Sequence, residues 1–346
     1  MDFIPDFLTK RPEMPIIHRV ISIYSGKAVK CEMKYKEMEI VLREDEKLLY
    51  ALRTLYRQYG YRSFRMSKFE KYEFYAGNKD FLVSDRVIAF TDTDGELLAL
   101  KPDVTLSIVR GTAYRPEHKE KLCYQENVYR PSGGSGRFRE IMQAGLECIG
   151  DLDSNDVAEV LLLAEKSLNA ISEENTLCVS HLGIFRGLLS ALDPESGERE
   201  ELLKLISERN IHELEALFTR KSWNAEILYG IRDLLELDCS VKDLPHALLR
   251  LNRSFVSRAV LEELEAISSL SSGQARFDFS VINNAHYYNG IVFQGFVRRV
   301  PEKVLSGGQY GALLRRMGRA GEAIGFAVYF DTLEQLDEFR GGGTHA

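Results

Sequence analysis

With 346 residues, the chain is long for one simple domain and short for three, which points to one large domain carrying an insertion. Its 45% hydrophobic and 28% charged residues are those of an ordinary globular protein, and a formal net charge of −7 argues against a broad nucleic-acid surface, which needs Lys and Arg to neutralise phosphates. The five cysteines (Cys31, Cys123, Cys148, Cys178 and Cys239) form no C-x-x-C pair, so neither a disulfide framework nor a zinc site is expected.

The chain begins MDFIPDFLTKRPEM, without an apolar run of signal-peptide length, and no stretch reaches the roughly 18 apolar residues of a membrane span. A cytoplasmic protein with reduced thiols is the expectation. Residues 1–40 carry mixed charge and weak periodicity and are left as a segment of uncertain structure. From Glu44 to Tyr59, Leu48, Leu49, Leu52, Leu55 and Tyr56 recur at helical spacing, and Gly60 supplies a stop. RVIAFTD and TDGELLALKPD then read as strands joined by a turn at Asp94-Gly95.

KLCYQENVYR and RFREIMQAGLECIG are two further strands, separated by the loop PSGGSG. That loop could cradle a phosphate through its amides, but a flexible hairpin tip is the commoner use of such a composition. In the stretch GSGRFREIMQAGLECIGD, alternation places Arg137, Arg139, Ile141, Gln143, Gly145, Glu147 and Ile149 on one face. The opposite face, with Phe138, Met142, Ala144, Leu146 and Cys148, is an ordinary core face. On the polar face Gln143 and Glu147 stand about 13 Å apart, with no side chain at Gly145 between them. This predicts a gap for a small polar molecule gripped at both ends.

Asp156 with Glu159 reads as the capping pair of the next helix. Residues 184–270 are helical throughout, an inserted lobe, after which strand patterns return at RFDFSVIN and YYNGIVFQGFV. The order strands, helices, strands argues for an α+β domain, an antiparallel sheet flanked by helices, with a core of 41–183 and 271–340. The tail, 341–346, reads as disordered. Asp103 alone would be a turn residue after Pro102, and a Tyr pair at 287–288 alone would be strand packing. None of the seven histidines pairs with another at metal-ligand spacing, so no metal site is expected.

Taken together and in order, LKPDVT, Tyr129-Arg130, the Gly/Ser loop, GRFREIMQAGLECIG, AHYYNGIVF and SGGQYGALLRRMG…AIGFA resemble the catalytic core of histidyl-tRNA synthetase, a class II aminoacyl-tRNA synthetase. The resemblance runs from about Glu44 to Leu333. It implies a histidine pocket in which Asp103 and Thr105 hold the α-ammonium, Arg130 the carboxylate, and Gln143 assists at the backbone. Glu147 and Tyr288 would hold the imidazole, with Tyr287 and Tyr310 completing the wall. Carboxylates suit that task, because they accept charge-assisted hydrogen bonds from an ammonium and from an imidazole N–H.

The departures from the synthetase pattern are informative. Tyr329-Phe330-Asp331-Thr332 stands where Gly-x-Glu-Arg grips ATP, so Thr332 replaces a cation. Asn283 replaces the arginine before the double tyrosine, and Ser132 replaces an acid that reads adenine. Ser67 replaces a proline of the dimer-forming motif, and Gln309 and Gly311 replace an Arg and an Asp. Losing one preorganised charge donor commonly costs about 10²- to 10³-fold in rate, so adenylation is not expected. The chain ends sixteen residues after Phe330, leaving no room for an anticodon-binding domain. These features resemble the regulatory subunit of ATP phosphoribosyltransferase. The resemblance implies a non-catalytic partner of a short catalytic subunit, needed for the first step of L-histidine biosynthesis. It further implies L-histidine as feedback effector, no cofactor, a homodimer within a hetero-oligomer, and neither nucleic acid nor membrane as partner. The alternatives are a synthetase-like ligase acting on a non-tRNA acceptor, and an interaction module with a dead pocket.

Overall fold

The computed structural model describes residues 42–336 apart from 83–85, 113–117, 132–135, 252, 271–272 and 283–286. The fold below is that of the unit Arg43–Ala346. The segment 1–40 with Cys31, the tip of the Gly/Ser loop with Ser132, Asn283, His286 and the tail 341–346 lie outside the described residues.

Helix α1 (Glu44–Gln58) turns Leu48, Leu52 and Tyr56 inward and places Glu44, Asp45 and Glu46 at its positive end. It stops at Gly60, whose φ of +86° is the left-handed conformation that costs glycine little. The two-residue strand β1 (Arg62–Ser63) follows. Strands β2 (Phe69–Lys71), β3 (Ala89–Thr91) and β4 (Leu97–Leu100) form a small antiparallel sheet ordered β2-β4-β3, with α2 (Tyr72–Ala76) after its first strand. The hairpin between β3 and β4 turns where expected, with the Gly95 N–H returning to the Asp92 carbonyl at 3.0 Å.

After α3 (Val104–Gly111) comes the long hairpin of β5 (Glu120–Pro131) and β6 (Phe138–Gly150), in register from Glu120 opposite Ile149 to Pro131 opposite Phe138. Helix α4 (Ser154–Ile171) and strand β7 (Asn175–His181) lead to six helices: α5 (Leu182–Leu192), α6 (Ser196–Ser207), α7 (Ile211–Lys221), α8 (Ala225–Glu236), α9 (Leu244–Leu251) and α10 (Arg258–Ser268). The chain closes with β8 (Arg276–Phe277), β9 (Ile291–Val297), β10 (Leu305–Gln309), α11 (Gly311–Arg316), β11 (Glu322–Tyr329) and α12 (Phe330–Leu333).

The main sheet runs β1-β5-β6-β11-β10-β9-β7-β8. It is the expected antiparallel sheet flanked by helices, to which the structure adds a short parallel strand at each edge, β1 on β5 and β8 on β7. One face buries Leu146, Cys148, Phe293 and Phe326 against α1 and α4, and this core continues into the helices that follow β7. Phe185 of α5 stacks on Phe279 with ring centroids 4.2 Å apart. The other face, with Leu122, Tyr124, Val128 and Ile149, packs on α3 and α11.

The start of α4 corrects the expected capping pair. Asp153 is the cap: its Oδ1 accepts from the Asn155 and Asp156 N–H groups at 2.8 and 3.2 Å, while Oδ2 of Asp156 accepts from the Asp153 N–H at 2.8 Å. Lys119 bonds both carboxylates. Glu159 turns instead to Lys121, at 2.6 Å, and to the Tyr61 hydroxyl. Lys119, just before β5, thus holds the two capping acids, and Lys121 on β5 holds Glu159.

Candidate functional site

The site lies on the second face of the sheet, a cavity of about 360 Å³. Its floor follows from register. Glu147 of β6 is opposite Gly325 of β11, which is opposite Gly308 of β10; Gly145, Ala327 and Ser306 form the next row; Gln143 and Tyr329 form the third. Alternation turns these residues to one side, and most are small, so three adjacent strands leave a trough.

The expected gap at Gly145 is not open. Tyr124, directly across on β5, lays its ring there: a Cβ at Gly145 would stand 2.6 Å from the Tyr124 hydroxyl oxygen and 2.1 Å from the Phe326 carbonyl. The Tyr124 hydroxyl donates to that same carbonyl at 3.4 Å. The missing side chain makes room for a neighbouring ring, and a ligand would lie over it.

Glu147 is 2% exposed. Its Oε1 accepts from the Thr105 hydroxyl at 2.8 Å and its Oε2 from the Tyr310 hydroxyl at 2.6 Å. Burial pushes the carboxyl up to about 8, against the pull of those two bonds. Thr105 is placed by the first turn of α3, whose cap is Asp103; Oδ1 of Asp103 accepts from the Leu106 N–H at 2.9 Å. The residue read as a turn residue or as an ammonium ligand is thus a helix cap whose second oxygen lies 3.4 Å from Arg130.

Arg130 lines the cavity and also bonds its neighbours. Its Nε donates to the Pro102 carbonyl at 2.6 Å, and one Nη reaches Oδ2 of Asp103 at 3.4 Å, so in this structure the guanidinium braces the Pro102–Asp103 turn. No described residue hydrogen-bonds the amide of Gln143, which is 3% exposed and opens on the cavity. Tyr287 packs on Tyr310, with centroids 5.6 Å apart, and on Tyr288 at 4.7 Å; Phe81 adds an edge at 5.9 Å. Burial holds the hydroxyls of Tyr287, Tyr288 and Tyr310 well above their ordinary pKa, so all three stay neutral. The structure therefore brings all eight candidate residues to one cavity.

It also adds residues that were not among the expected histidine ligands. Tyr124, Tyr329, Asp331, Ser306, Glu302 and Lys303 line the same space. Tyr124 and Tyr329 could have been found from strand alternation. Lys303 could not, because it comes from the turn between β9 and β10 and reaches the cavity through tertiary packing. Thr332 and Asp331 face the cavity from α12, so the position expected to lack a cation does present a hydroxyl. Burial raises the Asp331 carboxyl.

At the rim, Gln309 accepts from the Ile291 N–H at 2.5 Å and holds β9 to β10. A Cβ at Gly311 would fall 1.9 Å from the Glu322 carboxylate, which accepts from Asn289 and from Arg315. An acid from β11 therefore occupies the place where residue 311 carries none.

This arrangement has known counterparts. The family model for histidyl-tRNA synthetase matches residues 39–333. An ATP phosphoribosyltransferase regulatory subunit of Clostridium kluyveri is 28% identical over 310 residues, covering 84% of this chain and 77% of its own. A histidine–tRNA ligase of Methanococcus maripaludis is 27% identical, over 83% of this chain and 71% of its own. Among solved structures, the ATP phosphoribosyltransferase (HisG:HisZ) complex of Thermotoga maritima contains a chain of the same fold, with TM-score 0.65 and 23% identity over 82% of this chain and 97% of that one. The family match spans every strand of the site's floor and each of Asp103, Arg130, Gln143, Glu147 and Tyr310: the chain belongs to the histidyl-tRNA synthetase family.

Proposed function

We propose that this chain is the regulatory, non-catalytic subunit of an ATP phosphoribosyltransferase, working with a short catalytic subunit in the first step of L-histidine biosynthesis. Its pocket binds L-histidine as a feedback effector, and it acts as a homodimer within a hetero-oligomer. The observation that carries this reading is that all eight expected histidine ligands line one cavity, whose α12 side presents Thr332 where the synthetase pattern has a cation. Glu147, buried and held by Tyr310 and Thr105, suits an imidazole, and Asp103 and Gln143 offer polar groups to an amino-acid backbone. Thr332 stands where the synthetase pattern has the cation that grips ATP, with the acid Asp331 kept beside it. The regulatory-subunit name of the Clostridium kluyveri relative points the same way.

A ligase reading draws on the Methanococcus maripaludis relative, named a histidine–tRNA ligase. ATP–pyrophosphate exchange with histidine separates the two. A ligase supports histidine-dependent exchange; the regulatory subunit supports none, yet binds histidine in calorimetry and confers histidine-sensitive turnover on a short catalytic chain. Exchange by the pure chain would overturn the regulatory reading.

A further inference from the structure

The cavity wall carries a cation without a partner. Lys303 is half-buried and faces the cavity, and among the described residues it makes no ion pair. Burial alone acts on its ammonium, lowering it from the ordinary lysine value. Arg130, the other cation on this wall, is engaged: it donates to the Pro102 carbonyl and reaches Asp103. A guanidinium placed there supports the acid suited to a ligand ammonium. With Arg130 shared between that acid and the cavity, the carboxylate of the same ligand has room for a second cation.

Register places Lys303 at the right end of the trough. The Tyr329 N–H bonds the Val304 carbonyl at 2.9 Å, and Tyr329 is opposite Gln143, so Lys303 enters beside the Gln143 row. That row lies four residues from Glu147, about 13 Å along the strand. An amino acid whose side chain is at Glu147 brings its backbone groups toward this end. Asp103, Glu147, Glu302 and Asp331 all line the cavity, and acids repel a carboxylate unless a cation answers it.

We propose that Lys303 recognises the α-carboxylate of the bound amino acid, so that the pocket reads a zwitterion: Asp103 the ammonium, Lys303 the carboxylate and Glu147 the side chain. The assignment rests on the pocket being a histidine site. A carboxylate against a partly desolvated ammonium forms a charge-assisted hydrogen bond, stronger than a neutral one.

The test is calorimetric titration of the full chain with L-histidine and with histamine, which keeps the imidazole and the ammonium but lacks the carboxylate. The wild-type chain should prefer histidine. Lys303→Met should weaken histidine tenfold or more and leave histamine unchanged, while Lys303→Arg should restore most of the preference. A Lys303→Met chain that keeps the full preference overturns the assignment and leaves the pocket reading standing. Equal weakening of both ligands also overturns it, because a merely structural lysine would do that. Failure of the wild-type chain to bind histidine overturns both.

Discussion

The Tyr310 hydroxyl donates to Oε2 of Glu147 at 2.6 Å, joining the cap of α11 to the interior of β6 across 163 positions. Gly325 makes this contact possible, because a Cβ there would fall 1.7 Å from the same oxygen. A buried hydrogen bond left unmade costs about 1–3 kcal/mol. Tyr310→Phe should therefore destabilise the fold by that amount in urea denaturation at neutral pH. A variant as stable as wild type would mean that the bond contributes nothing net.

The Glu147 carboxyl has a definite effect of pH on stability. Its pKa is raised in the folded state, from the ordinary 4.5 to about 8. Between those values the unfolded chain has released the proton and the folded chain keeps it. The group's contribution is thus fully present below the lower value and is lost as pH rises to the upper one, at most about 1.4 kcal/mol per pH unit. Denaturation of wild type and Glu147→Gln across about pH 5 to 8 isolates it. The stability difference should shift steadily in the variant's favour with pH, and a constant difference would contradict the raised pKa.

Gly145 should tolerate no side chain. Gly145→Ala drives a methyl group into the Phe326 carbonyl and the Tyr124 ring, an overpacking that typically costs about 1–3 kcal/mol. Stability should fall and histidine binding with it, since Tyr124 cannot move without disturbing the floor. Tyr124→Ala should cost less in the Gly145→Ala chain than in the wild-type chain, because it removes the ring that the methyl group meets. Calorimetric unfolding of the single and double variants checks this, and additive losses would refute the contact.

The helix cap offers a local test. Asp153→Ala removes the acceptor for two N–H groups at the start of α4 and should cost about 0.5–2 kcal/mol, with faster hydrogen exchange at Asn155 and Asp156. Glu159→Ala should leave those amides protected, since that side chain bonds Lys121 and Tyr61.

Regulation gives the functional prediction. Histidine at this pocket and substrate at a partner's active site imply a coupling free energy, typically about 1–3 kcal/mol and reciprocal. Gln143→Ala with Glu147→Ala should leave a complex that assembles and turns over but no longer responds to histidine. Initial rates against histidine concentration check it. Equal inhibition of mutant and wild-type complexes would place the regulatory site on the catalytic chain.

By itself the sequence determined what depends on neighbours along the chain. Period-two alternation set Gln143, Gly145 and Glu147 on one face and Ala144, Leu146 and Cys148 on the other, as β6 bears out. Helical spacing marked Leu48, Leu52 and Tyr56, and Asp94-Gly95 marked the hairpin. The ordered motifs brought the eight pocket residues into view before any of their contacts. Only the tertiary structure decided what crosses between strands. Tyr124 fills the space over Gly145 and bonds a carbonyl 202 residues away; Arg130 turns to Pro102; Glu322 stands in at Gly311; Lys303 reaches the cavity from a turn. The reason is physical: periodicity fixes which face of its own strand a side chain takes. Which residues oppose it is set by the pairing of β6, β11 and β10, segments far apart in sequence brought together by burial of the whole sheet.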